Sequence, residues 1–402
     1  MRPFTSTIPF ADALRIVMDS ARPIDRDEAI ALDECDGRVA ASDISSGVDV
    51  PPFDRAAMDG YAVVAADTAG ATQAAPARLV RVDRLFTAQM PSRRVDPGEC
   101  IEVATGAPMP PGADAVVMVE ETQADDDVIS IRAAAVAGQN IGRRAADIAI
   151  GQVVVRTGQW MGPARIGALA ATGATSLRVF AKPTVAILST GNEVADPGTP
   201  IAPGQIFDIN RFTLGSIVRA HGGLAAPLPV AGDALESLHA ALDGALAHDV
   251  VVLSGGSSVG DRDLILDVLR ARGHVHFHGV AVKPGKPTAF ATIGNTPVFA
   301  MPGYPTSCLS NGYMLLLPFL RAIARLPPWQ PRTIELPLSR RVASAPGRHQ
   351  FYTVRIAEGR AEPAFKASGD ITSMADADGY IEIPASTDAV EAGTPVKITL
   401  FG

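Results

Sequence analysis

Lys283 and Lys286 flank a Pro284-Gly285 turn. Two ammonium groups on one tight turn can converge on a single anion, a phosphate or an oxyanion. An ordinary solvated turn would also carry such lysines, but the other loops favour an anion site. The stretch Ser254-Gly255-Gly256-Ser257-Ser258-Val259-Gly260-Asp261-Arg262-Asp263 offers glycine N–H groups that can approach a phosphate. Glu193, Asp261 and Asp263 stand in the same set of turns. Carboxylates beside phosphate-binding loops suit Mg2+, which keeps several waters and needs only one or two protein ligands. Both also precede a helix over 264–269: capping suits Asp261 equally well, while for Asp263, as for Glu193, the whole set of turns favours the functional reading. Gly256-Ser257-Ser258-Val259-Gly260 also fits the G-x-S-x-G pattern of a serine hydrolase, which would need an Asp and then a His later in the chain. His274, His276 and His278 follow, alternating along a strand-like segment. A solvated strand face explains them more simply than a metal site.

Each glycine-containing turn follows a short apolar run: 185–188, 250–253, 280–282 and 298–301. Such runs read as buried strands of an α/β sheet, with ligands bound beyond their carboxyl ends. From 183 to 326 the pattern is strand, loop, helix, with helices at 212–219, 264–269 and 309–324. Thr306-Ser307 would cap the last of these. This alternation predicts a mostly parallel sheet. Upstream, 10–18 has helical spacing, and alternating segments such as 78–82 mark a β-rich insertion over 27–139. A helix over 166–171 is expected beside the N-terminal helix, giving a small helical and mixed linking domain from 1–26 and 140–182. Strands at 333–338, 351–356, 379–383 and 396–401 predict a C-terminal, barrel-like β domain over 327–402. The fold class is multi-domain, α/β plus β, with the α/β domain over 183–326.

The 402 residues exceed what one core organises. A formal net charge of −8 argues against broad nucleic-acid binding and leaves room for a local basic pocket. Cys35, Cys100 and Cys308 are far apart without CxxC spacing, so buried inert thiols in a reducing compartment are expected. No secretory h-region is visible. The most apolar stretch, 314–320, is interrupted by Pro318 and is shorter than the ~20 residues of a membrane span. A cytoplasmic protein without membrane contact is expected.

Two segments of the insertion are unusual: 51–62, with Met58-Asp59-Gly60-Tyr61-Ala62, and 104–117, with Thr105-Gly106-Ala107 and Pro111-Gly112-Ala113-Asp114. Turn chemistry explains their Gly and Pro. It does not explain Met58-Asp59-Gly60 between apolar neighbours. Together with Ser189-Thr190-Gly191-Asn192-Glu193, Ser254 to Asp263, Lys283 to Pro287 and Pro302-Gly303-Tyr304-Pro305, these segments resemble the molybdopterin molybdenumtransferases. These are the MoeA type, similar to the C-terminal domain of gephyrin, and the resemblance spans the whole chain.

The resemblance implies four domains and an elongated homodimer. Its active site would lie between the α/β domain of one subunit and the insertion of the other. Molybdate would be inserted into the dithiolene of adenylylated molybdopterin with release of AMP, assisted by Mg2+ or a similar divalent ion. Asp59, Glu193, Asp233 and Asp263 fall on catalytic positions. Thr105, Lys283, Lys286 and Ser368 fall on substrate-binding ones, joined by Gly255, Gly256, Ser258, Pro302 and Pro305 of the loops. Glu193, Asp261 and Asp263 are the candidate metal ligands. A transient contact with the molybdopterin adenylyltransferase is a further expected partnership. Ala56 stands where many members have Ser, and Tyr304 where many have Asn, which leaves open a tungstate-inserting paralogue. A gephyrin-like scaffold without catalysis would predict loss of the lysines or carboxylates, and all are present.

Overall fold

The computed structural model describes residues 7–255 and 264–401. The chain forms two compact units, Met1–Glu28 with Gly37–Val39 and Phe180–Gly402, and Ala29–Asp36 with Ala40–Val179.

In the first unit, six strands lie in the order Leu224–Pro227, Thr184–Ser189, Val250–Ser254, Thr296–Met301, Ala289–Ile293, His274–His278. The first four run parallel, Ala289–Ile293 is antiparallel to both its neighbours, and His274–His278 again runs with the first four. The sheet is therefore mostly parallel, as expected, with one reversed strand. Both its faces are covered. Ile187, Val252 and Phe299 pack with Leu214, Ile217 and Phe319 on one side. Leu188, Val251 and Val298 pack with Leu238, Leu242 and Leu269 on the other. Burial on both faces is why these strands read as continuous apolar runs.

The run at 280–282 is not a strand of this sheet. Val282–Lys283 pairs instead with His349–Ala357 of the C-terminal segment, Val282 opposite His349 and Lys283 opposite Gln350. The hairpin of Ala289–Ile293 with Thr296–Met301 and the edge strand His274–His278 fill that side of the sheet, so the segment between them leaves it. The last helix begins at Pro305, runs to Asn311, and continues through a π turn, Gly312–Leu316, into Leu317–Ile323. Thr306 and Ser307 lie buried inside it, while Pro305 takes the first turn, where its missing N–H costs nothing. Leu235–Ala245 is a helix that the pattern reading passed over. Its Leu238, Leu242 and Ala245 are buried at helical spacing, but Asp243 and Gly244 weaken the local signal.

The N-terminal helix Phe10–Asp19 buries Ala13 and Val17 in the same core as Leu214 and Leu320. Helix Pro163–Ala171 buries Leu169 with Cys35, Ala40, Met161 and Val179 in the second unit. The two helices serve different cores, so the expected pairing of the two is not met. The C-terminal sheet runs Val282–Lys283, His349–Ala357, Gly379–Ile383, Pro395–Leu400, Thr333–Pro337, with Arg360–Pro363 beside His349–Ala357.

The second unit carries a sheet of Ala115–Met118, Gly60–Val63, Glu99–Val103, Ala77–Leu85, Val128–Ile131 and Thr122–Asp125, in that order. Tyr61, Val63, Cys100 and Val117 face one core, and Ala62, Ile101, Val103 and Val116 the other. This period of two is what each strand's pleat requires. Gly60 is fixed by that packing, since a side chain there would overlap the Val117 carbonyl. The need for close approach accounts for a glycine after Asp59 in an apolar setting.

Candidate functional site

Three adjacent parallel strands end side by side, Ser189 paired with Ser254 and Ser254 with Met301. The Ser189 and Ser254 hydroxyls lie 3.2 Å apart, and Thr190 N–H donates to the Ser254 carbonyl at 2.9 Å. Gly255, at φ 102°, has room for no side chain, because a Cβ would overlap the Thr190 carbonyl. A Cβ on Gly303 would stand 3.3 Å from the Gly255 Cα. The three strand-end loops thus approach one another closely at Gly255 and Gly303. Gly255 is buried, and its N–H points to the Met301 carbonyl at 3.4 Å. Its part is close packing rather than donation to a ligand. Pro302 is buried as well, while Pro305 is half-buried.

The first loop is folded around its carboxylate. Gly191 adopts φ 135°, and a Cβ there would sit 2.6 Å from both Glu193 carboxylate oxygens. Glu193 is exposed, and among the described residues none donates a hydrogen bond to its carboxylate. Asn192 N–H donates to Asp233 Oδ2 at 3.2 Å, and Asp233 N–H donates to Asn192 Oδ1 at 3.2 Å. This reciprocal pair ties Asp233 to the Glu193 loop. The structure therefore ties Asp233 to the residue next to Glu193, which lies forty residues away along the chain.

The lysine turn is held by a buried amide. Asn311 Nδ2 donates to the Gly285 carbonyl at 2.9 Å and to the Thr288 hydroxyl, and Thr288 Oγ1 donates to the same carbonyl at 2.9 Å. Gly285, at φ 103°, leaves no space for a side chain against Asn311. Lys283 and Lys286 are half-buried. Asn311 ends the helix that Pro305 begins, so seven residues at about 1.5 Å each set roughly 10 Å between the lysine turn and the 302–305 loop. At the near end of that helix, Thr306 N–H donates to the Ser368 carbonyl at 3.1 Å and Thr306 Oγ1 to the Asp370 carbonyl at 2.8 Å. Ser368 is thereby placed against the 302–305 loop. Asn210 Nδ2 holds the Gly303 carbonyl from the other side at 2.8 Å.

In the second unit, Asp59 Oδ1 accepts the Thr105 N–H at 2.7 Å, and both residues are exposed. The turn is laced to its neighbour: Gly106 N–H donates to the Ala56 carbonyl at 2.8 Å and Ala56 N–H to the Ala107 carbonyl at 2.9 Å. Ala56 itself packs in the core with Ala62, Leu85 and Val103. The Ala at that position is therefore a matter of packing.

Gly256, Ser258, Asp261 and Asp263 lie outside the described residues. Among the described residues no three His, Cys, Asp or Glu side chains cluster as metal ligands. His274, His276 and His278 do share a strand, but its register shifts between Val275 and Phe277. Cys35, Cys100 and Cys308 are buried thiols outside any disulfide. Burial pushes the Cys100 thiol up to about 12 and raises Cys308 further, which keeps both un-ionised and unreactive.

Asn192, Asn210 and Asn311 are positioning residues that the sequence reading passed over. Asn311 carried a usable signal, a lone amide just before the apolar run 314–317. Asn210 and Asn192 resembled ordinary turn residues.

The three regions of the chain match known family models in order. Residues 8–173 match the MoeA N-terminal region (domain I and II), 186–322 a probable molybdopterin binding domain, and 335–401 the MoeA C-terminal region (domain IV). Molybdopterin molybdenumtransferase 2 of Mycobacterium tuberculosis is 34% identical over 394 residues, covering 95% of this chain and 96% of that protein. The molybdopterin molybdenumtransferase of Haemophilus influenzae is 31% identical over 93% of this chain and 94% of its own length. The crystal structure of a molybdopterin biosynthesis MoeA protein from Pyrococcus horikosii superposes with a TM-score of 0.85 at 39% identity, over 99% of this chain and 100% of that one. With its strand-end loops, lysine turn and Asp59 turn all set within regions that match end to end, this chain belongs to the MoeA family of molybdopterin molybdenumtransferases.

Proposed function

We propose that this protein inserts molybdate into the dithiolene of adenylylated molybdopterin and releases AMP. The observation that carries this reading is the meeting of the Thr190, Gly255 and Gly303 loops, linked by one helix to a turn with two lysines, in a chain of this family. Lys283 and Lys286 neutralise the phosphate and molybdate oxygens, and Ser368 adds a hydroxyl at the far end of that helix. Glu193 and Asp233 orient the attacking water.

An exposed carboxylate without described hydrogen-bond donors fits the oxygen chemistry of Mg2+, so Glu193, with Asp261 and Asp263, would hold that ion. When bound, it would stabilise negative charge on the phosphate oxygens. The resemblance further supports a homodimer in which the Asp59–Thr105 turn of one subunit completes the site of the other, in the cytoplasm. A transient contact with the adenylyltransferase would then deliver the substrate.

The test is AMP release and molybdenum-cofactor formation from adenylylated molybdopterin, molybdate and Mg2+ by the purified protein. Lys283→Ala and Lys286→Ala should each weaken substrate binding by about 1.5–3 kcal/mol while the Tm stays put. Molybdate-dependent AMP release that neither lysine substitution alters would overturn the anion-site assignment.

A further inference from the structure

We propose that Tyr304 is an aromatic platform on which a planar fused-ring heterocycle of the substrate, pterin or adenine, stacks; the inference rests on the substrate reading above. Tyr304 is 67% exposed although it sits in the middle of the site's last loop. Its backbone is fixed on both sides. Pro305 confines the preceding residue to extended geometry, and Tyr304 has φ −65° and ψ 127°. Its carbonyl accepts the Cys308 N–H at 2.9 Å, and the Gly303 carbonyl before it is held by Asn210 at 2.8 Å. The main chain is thus anchored while the ring extends into solvent.

Gly369, next to Ser368, faces that ring. A Cβ there would stand 3.8 and 4.0 Å from Tyr304 Cδ1 and Cε1, so Gly369 itself sets no side chain against this edge. An exposed ring adds little to folding, because it buries little area. It gains when a flat ligand covers it, and with two side-chain torsions it loses little freedom in doing so.

The test is calorimetry on the full-length protein and its Tyr304→Phe, Tyr304→Leu and Tyr304→Ala variants. Two probes separate the rings: AMP, and 6-hydroxymethylpterin monophosphate. Tyr304→Phe should bind within about twofold of the parent, and Tyr304→Ala about tenfold more weakly for the ring that stacks. Tyr304→Leu, which keeps bulk without a π-face, should resemble Tyr304→Ala. The probe that loses affinity identifies the ring. Unchanged affinity of Tyr304→Ala for both probes, with the parent binding at least one, overturns the platform and leaves the substrate reading intact. A parent protein that binds neither probe overturns the substrate reading and the platform with it.

Discussion

His221 shows how burial overrides a local preference. It sits at the C-terminal end of helix Asn210–Ala220, where the helix dipole favours a cation. Burial and the nearby Arg321 guanidinium nevertheless depress it to about 4, against the edge of Trp329. The folded protein therefore keeps His221 neutral through pH values at which the unfolded chain protonates it, beginning near 6.5. Because the folded pKa is depressed, the stability is complete above about 6.5 and is lost as pH falls toward about 4. His221→Gln should flatten the loss of stability between pH 7 and 4.5, as read by urea unfolding at each pH. An equal loss in both proteins would show that His221 does not titrate on unfolding.

At the scale of elements, the helix from Pro305 to Asn311 is the piece that spaces the site. Its first turn is tied to the Ser368 segment and its last residue to the lysine turn. Asn311 is fully buried and holds the lysine turn through Gly285 and Thr288. Asn311→Ala leaves the Gly285 carbonyl with the Thr288 hydroxyl alone and should cost about 1–3 kcal/mol of stability. It should also weaken binding of the substrate anion, since Lys283 and Lys286 flank the freed turn. Thermal unfolding and calorimetry on the same variant check both effects. A lower Tm with unchanged affinity would mean that the turn holds its shape without the latch.

At the scale of the whole molecule, the Asp59–Thr105 turn and the lysine turn belong to different compact units. If the proposed homodimer shares its sites, Asp59→Asn and Lys283→Ala strike opposite subunits of one site. Each homodimer should then be nearly inactive. In a mixed dimer both lesions fall on one site and spare the other, so random exchange should restore about a quarter of all sites. The measurement is cofactor synthesis after refolding equal amounts of the two variants together, with mixed dimers verified by native mass spectrometry. Activity no higher than that of the separate variants would place both residues in the same subunit's site or leave Asp59 with a structural part.

The sequence alone determined three central strands, Thr184–Ser189, Val250–Ser254 and Thr296–Met301, because both faces of that sheet are covered there. It also determined the lysine turn and glycine loops, whose residue types are tied to local backbone geometry. Helix Leu235–Ala245 was legible in its leucine spacing and was passed over. What only the tertiary structure decided are the pairings between distant segments. Val282–Lys283 could have joined either sheet by its composition, and its two-residue length carried no preference. The N-terminal helix has an apolar face that would suit several cores, and the one it joined depended on which surface stood open. The same holds for Asn192 with Asp233, Asn210 with Gly303 and Asn311 with Gly285. An amide's donors suit any backbone carbonyl, so its partner is fixed by what the folded chain brings within reach.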